Sequence, residues 1–389
     1  MTGNATSGMV VAGTRRRRQQ LPWRLARAIA FLAAGQLPPS LDGDPIIESI
    51  LVLQANHIGD LLVTTPLLEA LRGGFPHAKI TVAAGPWNAD TVANNPHVDE
   101  FFPLSAPWDN AFVSPQTPLA RLRFLLFSPE ARELARRRFS IGIDAIGTRT
   151  NVLMLLRIRA RRVVGPVFDA PGAFTGRGRR HMIERQLDRA RTLGLNATAA
   201  IRPRIFLTPE ELQRGVALWN DSGIRTAGRP YRVVIAPASS SPYKCWSIDD
   251  FRAVTKALHD RGDVSLAIIG GTDTVDSATR IATAAPSIRN LAGRIRLRET
   301  FGLIANADFV LCNANLAWHL AAAFDVPSAV VLTSVYRSAE HERIEWGYPS
   351  SLVLGRDATH DGAYGATEVT AIINEALDAR RDRDRTVSG

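Results

Sequence analysis

The sequence predicts an α/β protein built on two open, mostly parallel sheets with helices on both faces. Three observations carry this. Short continuous apolar runs, of the kind seen in parallel strands buried on both faces, alternate with segments of helical spacing from residue 48 onward. The alternation restarts near Tyr231 after a polar, helix-like stretch, so two units of similar size follow one another. A chain of 389 residues with 46% hydrophobic content is long and apolar enough for two cores.

In the first unit, Ile50 to Leu53 is the opening strand, and residues 59 to 73 carry Leu61, Leu62, Thr65, Leu68 and Leu71 at helical spacing. Lys79 to Ala84 and Glu100 to Leu104 read as strands, residues 119 to 138 as a helix, and Ile141 to Ala145 and Val163 to Val167 as strands. The stretch "TPEELQRGVALWNDSGI", residues 208 to 224, is a connecting helix. The second unit runs Tyr231 to Ala236 (strand), Ile248 to Arg261 (helix), Ser265 to Ile269 (strand) and Asp273 to Ala285 (helix). Then come "LRETFGLIANA" (helix), "DFVLC" (strand), "ANLAWHLAAAFD" (helix) and "PSAVVL" (strand), with a closing helix over 366–380. The predicted organisation is an arm over 1–45, a first domain over 46–207, a connection over 208–229, a second domain over 230–365, and a helix and charged tail over 366–389.

Formal charge is +10, from 47 basic and 37 acidic side chains, and Lys79, Lys244 and Lys256 are the only lysines. The two cysteines, Cys245 and Cys312, form neither a metal spacing nor a disulfide framework, which favours a reducing compartment. No window reaches about 18 uninterrupted apolar residues, so no spanning helix is predicted and a cytoplasmic location is expected. In the basic arm, Trp23, Leu25, Ile29, Phe31 and Leu32 share a helical face interrupted by Arg24 and Arg27. That pattern reads equally as a flexible segment or as a helix lying on the inner membrane surface. The apolar core from Ala28 to Ala34 is short for a signal peptide.

Ligands of such sheets bind beyond the carboxyl ends of the strands, so the candidate residues lie in strand-to-helix turns. Asp60, beside His57, falls in the first turn of a helix. Two roles fit it: a cap that meets free N–H groups, and a general base projecting into the cleft. In "APASSSPYKCWSIDDF", Ser239, Ser240, Ser241 and Lys244 form a small-residue loop suited to phosphate, with a solvated loop as the bland reading. Asn313, Asn315 and His319 surround the next turn, where His319 is either a core histidine or a ligand contact. Gly270 and Gly271 with Asp273 form a turn able to approach a nucleotide. No GxSxG, HExxH, P-loop or GxGxxG occurs in a fitting context, which argues against serine hydrolases, zincins, P-loop NTPases and ordinary dinucleotide dehydrogenases.

In order, "HIGDLLVTTPLLEALRGGFPHAKITVAA", "NNPHVDEFFPL", "APASSSPYKCWSIDDFRAVTKAL", "NLAGRIRLRETFGLIANADFVLCN" and "HLAAAFDVPSAVVL" resemble glycosyltransferase family 9, the heptosyltransferase family. The resemblance covers about residues 48 to 335. It implies a GT-B fold, two Rossmann-like domains facing across a central cleft, and inverting sugar transfer without a metal or other cofactor. It also implies a nucleotide-sugar donor such as ADP-heptose and an anionic glycolipid or polysaccharide acceptor. Asp60 would then be the base, Lys244 would offset charge on the departing nucleoside diphosphate, Asp273 would lie near the ribose, and His319 would end the pyrophosphate loop. The family pattern D-S/T-G-x-x-H departs here, with Ala314 replacing the carboxylate and Leu316 the glycine. The alternative is a non-catalytic nucleotide- or glycan-binding relative.

Ten arginines against Asp169, Glu184 and Asp188 give net +7 between Arg157 and Arg191. This predicts that Arg177, Arg179 and Arg180, with His57, receive an anionic acceptor. No stacking aromatics are interleaved there, so nucleic acid is not expected as a partner.

Overall fold

The computed structural model describes residues 47–108, 110–165, 180–198, 200–219, 230–358, 360 and 362–388. The predicted amino-terminal arm, and with it the membrane-contacting helix, lies outside the described residues, as do Arg177 and Arg179.

The first unit contains β1 (Ser49–Gln54), α1 (Ile58–Gly74), β2 (Lys79–Ala84), α2 (Ala89–Val92), β3 (Glu100–Pro103), α3 (Pro118–Phe127), α4 (Pro129–Arg136), β4 (Ile141–Asp144), α5 (Arg149–Ile158), β5 (Arg162–Val164) and α6 (Met182–Thr192). The connecting helix is α7 (Pro209–Leu218). The second unit contains β6 (Tyr231–Ala236), α8 (Ile248–Asp260), β7 (Val264–Ile268), α9 (Val275–Ala282), β8 (Arg289–Asn290), α10 (Leu297–Ala305), β9 (Phe309–Cys312), α11 (Leu316–Ala323), β10 (Ser328–Val331), α12 (Ala339–Trp346), β11 (Ser351–Leu354) and α13 (Ala366–Ser388). Every strand pairing is parallel, in the order β3-β2-β1-β4-β5 in one sheet and β11-β10-β9-β6-β7-β8 in the other. Buried on both faces, β1 shows the continuous apolar run expected of a central parallel strand.

The predicted helix over residues 119 to 138 is two helices. Ser128 accepts the Ala131 N–H at 3.0 Å and Pro129 opens the next helix, so the chain turns between them. Helix α6 is hard to read in the sequence because it is arginine-rich, with only Ile183, Leu187 and Ala190 as its buried apolar stripe. Arg189, 3% exposed, lies against the first sheet and donates Nε to the Asp144 carbonyl at 2.7 Å.

Helix α1 positions the candidate site and contains Pro66, which cannot donate to the Leu62 carbonyl. Thr65 resolves this: its hydroxyl donates to the Leu62 carbonyl at 2.7 Å and accepts the Arg204 N–H at 2.8 Å. The Thr-Thr-Pro run is thereby explained, for Thr64 likewise donates to the Asp60 carbonyl at 2.8 Å while accepting Gln54 Nε2 at 3.1 Å. Thr65→Val keeps the shape and strands two polar groups in a fully buried position, so it is expected to lower unfolding free energy by about 1–3 kcal/mol, measurable by denaturant titration.

Candidate active site between the two sheets

The candidate loops follow the carboxyl ends of β1, β6, β7 and β9. Asp60 Oδ2 accepts the His57 backbone N–H at 3.2 Å and lies 3.7 Å from His57 Nδ1, so the capping role is present. The Asp60 side chain nonetheless keeps 35% of its surface accessible. Gln54, at the end of β1, also donates to the Asp60 carbonyl at 3.3 Å, tying this first turn to the strand.

Opposite stands His319 of α11, from the other sheet. A Cβ on Gly59 would lie 3.3 Å from His319 Cδ2, so the missing side chain at Gly59 is what allows the two helices to approach here. Burial pushes the His319 pKa down to about 4; the Asp60 charge opposes this and His181 adds to it. His319 Nδ1 lies 2.6 Å from the Tyr348 hydroxyl. Tyr348 is buried and this is its hydroxyl's partner among the described residues, so the pair fixes how the imidazole is oriented. A histidine whose folded pKa is depressed leaves the unfolded chain binding more protons between pH about 4 and about 6.5, so stability rises with pH in that window. Thermal melts are expected to show a fall in stability as pH drops from 6.5 toward 4, and His319→Asn should flatten that slope.

Lys244 ends a short turn, Pro242–Lys244. Lys79 pairs with Glu100 at 2.7 Å and Lys256 with Asp260 at 2.6 Å, whereas Lys244 has no ion-pair partner among the described residues. Its Nζ lies 6.0 Å from the Tyr336 ring centre. Glu342 is close enough for the Lys244 charge to oppose the upward push of burial on its carboxyl. Ser239 donates to the Ala314 carbonyl at 3.4 Å, Ser240 is exposed, and the Ser241 carbonyl accepts the Lys244 N–H at 3.0 Å.

Asn313 and Asn315 hold the loop together and are not free ligand groups. Asn313 Oδ1 accepts the Trp246 N–H at 2.9 Å and Nδ2 donates to the Pro237 carbonyl at 2.5 Å. Asn315 Oδ1 caps α11 through the Ala317 N–H at 2.9 Å, and Nδ2 donates to the carbonyls of Ala236 and Ala238. The turn of Gly270, Gly271 and Asp273 lies beside Lys244's loop, since the Asp273 charge acts on Cys245. Asp273 Oδ1 accepts the Thr274 hydroxyl at 3.2 Å, and a Cβ on Gly271 would stand 2.7 Å from that same oxygen.

The arginine cluster needs correction. Arg180 is engaged by Asp188 at 2.6 Å and Glu184 at 3.3 Å, which together hold its pKa above the ordinary arginine value. Arg191 pairs with the same two carboxylates, and Arg185 reaches Glu345 of the second unit at 2.9 Å. Arg180 and Arg191 are thus held by Glu184 and Asp188, carboxylates already counted in that net charge, and these contacts help fix α6 in place. Sequence reasoning also missed Tyr336, Glu342 and Tyr348, which no local motif marks. A recess of about 410 Å³ beside Glu69, Gly74, Leu195 and Arg204 sits at the opposite end of α1 from Asp60 and is not part of this site.

Two parallel-sheet α/β domains whose candidate loops meet at the strands' carboxyl ends define the GT-B class. The profile of glycosyltransferase family 9 (heptosyltransferase) matches residues 174–359. Lipopolysaccharide heptosyltransferase 3 of Escherichia coli is 23% identical over 295 residues, covering 73% of this chain and 82% of that protein. Lipopolysaccharide heptosyltransferase 2 of Escherichia coli strain K12 is 23% identical over 303 residues, 72% of this chain and 80% of that one. The structure of Escherichia coli ADP-heptose lipopolysaccharide heptosyltransferase II superposes with a TM-score of 0.65 at 18% identity, covering 86% of this chain and 99% of that one. A family 9 glycosyltransferase from Veillonella parvula gives 0.64 at 17% identity, over 80% and 87%. The chain is a heptosyltransferase-like glycosyltransferase, similar to the members of family 9 over residues 174–359.

Proposed function

We propose that this protein is an inverting glycosyltransferase that moves heptose or a related sugar from a nucleoside-diphosphate donor such as ADP-heptose to a lipopolysaccharide core or another anionic envelope glycan on the cytoplasmic side of the membrane. The observation that carries the reading is the meeting of a partly exposed Asp60, at the carboxyl edge of one sheet, with His319 from the other. Asp60 takes the proton of the acceptor hydroxyl as its oxygen attacks the anomeric carbon. The bond from that carbon to the diphosphate oxygen breaks on the opposite face, which inverts the centre. Lys244, which has no ion-pair partner among the described residues, meets the charge that grows on the leaving diphosphate. The Lys244 ammonium supplies the positive charge that the leaving group needs, so no metal enters this proposed reaction. The similarity to lipopolysaccharide heptosyltransferases supports the heptose and lipopolysaccharide assignments.

The test is a transfer and donor-hydrolysis assay over a panel of nucleotide sugars. Lys244→Ala is expected to lower turnover by about 10²–10³-fold, the scale of losing one charge-stabilising donor in a transition state. Nucleotide binding by the wild type without turnover of any donor would sink the reading and favour the binding relative.

A further inference from the structure

Helix α3 turns its apolar side outward. Leu119 is 74% exposed, Leu122 52%, Leu126 45% and Phe127 65%. Their spacing places all four on one face, with exposed Arg123 among them. The opposite face is already satisfied: Leu125 is buried, and the Phe124 ring meets Trp108 edge-on at 5.3 Å. Helix α5, which packs beside α3, continues the surface, for Leu153 is 51% exposed and Arg157 lies one turn on. Arg123, Arg157, Arg159 and Arg161 have no ion-pair partner among the described residues, whereas Arg180, Arg185, Arg191, Arg204 and Arg298 are all paired.

We propose that α3 and the adjoining end of α5 dock on an anionic phospholipid surface. Apolar side chains with arginines among and beside them suit the headgroup boundary: leucine and phenylalanine enter the acyl region, while guanidinium groups stay at phosphate level. Charge decides against the other occupants. A second copy joined by a two-fold axis would press unpaired arginines on arginines. The chain's own amino-terminal segment is itself basic, with Arg15 to Arg18 in a row. The surface also leads toward the candidate site, because Phe112, 54% exposed on the approach to α3, lies 4.4 Å from the Trp87 ring and 5.8 Å from the His57 ring. Delivery of a lipid-anchored acceptor toward Asp60 along this edge rests on the transferase reading; the docking itself does not.

The experiment uses the full-length protein with vesicles of phosphatidylethanolamine and phosphatidylglycerol, and with phosphatidylcholine vesicles as the neutral control. Flotation should occur with the anionic vesicles, and hydrogen exchange over residues 118–127 should slow when they are added. The combined variant Leu122→Ser, Leu126→Ser and Phe127→Ser should lose at least about tenfold of this binding while melting like the wild type, since the three side chains are exposed. Arg123→Glu should weaken binding to the anionic vesicles. Flotation that survives the triple variant, with no protection over 118–127, would overturn the proposal and assign binding to another segment. Equal binding to neutral vesicles would overturn the anionic part. Self-association abolished by the triple variant, without flotation, would give the surface to a second copy. Because flotation needs no donor or acceptor, a failed transfer assay leaves this result standing on its own.

Discussion

Replacing Asp60 by asparagine is expected to reduce sugar transfer by about 10²–10⁴-fold, the range that loss of a general base produces. Asparagine is the informative substitution because the structure gives Asp60 two tasks. Its Oδ2 receives the His57 N–H, and an asparagine oxygen can do the same. Proton acceptance from an acceptor hydroxyl is the task that asparagine cannot perform. Asp60→Asn should therefore melt close to the wild type and bind nucleotide normally while losing turnover. Asp60→Ala should lose turnover as well, and in addition about 0.5–2 kcal/mol of stability with the cap. Full activity in the asparagine variant would leave Asp60 as a cap alone and remove the proposed base.

The second large effect is expected at Arg298, which fastens the connecting helix and both units together. Its Nε donates to Glu211 Oε1 at 2.8 Å, Nη1 to the Asp90 carbonyl at 3.0 Å and Nη2 to the Phe206 carbonyl at 2.8 Å, with a further bond from Nη2 to Glu211 Oε2. The two side chains are only 12% and 13% exposed, so the pair is largely sheltered from solvent and salt. Arg298→Ala would leave the Glu211 carboxylate and two carbonyls short of donors, a loss of about 3 kcal/mol by comparison with other broken buried pairs. Calorimetry should register this as an earlier first transition. Arg298 is the largest influence holding the Glu211 pKa below its ordinary value. A depressed carboxylate pKa contributes stability at neutral pH that is lost as pH falls through the folded value, so the variant should also lose part of the wild type's acid sensitivity.

Much of the fold was legible because parallel strands buried on both faces leave continuous apolar runs. Lys79–Ala84 and Tyr231–Ala236 coincide with their predicted ends for that reason. Helices α5, α6 and α12 were not legible. Their burial comes from neighbours distant in sequence, and α6 is held through arginine hydrogen bonds and ion pairs that periodicity does not register. The candidate site divides in the same way. Strand-to-helix turns announce themselves through small and capping residues, so the segments holding Asp60, Lys244 and His319 could be located. What each side chain touches could not be read there. Asn313 and Asn315 look like ligand groups in the sequence and are spent holding the loop; Arg180 looks like part of a free patch and is paired twice.

The sequence by itself determined the two parallel-sheet units, the turns in which chemistry would sit, and the scarcity of lysine that made Lys244 conspicuous. Only the tertiary structure decided that Asp60 meets His319, that Tyr348 orients that imidazole, that Lys244 has no ion-pair partner among the described residues while the other two lysines do, and that α3 shows solvent its apolar side. The reason is physical: apolar periodicity is a local property that each segment carries with it, whereas a charge's partners and a side chain's exposure are set by segments tens to hundreds of residues away.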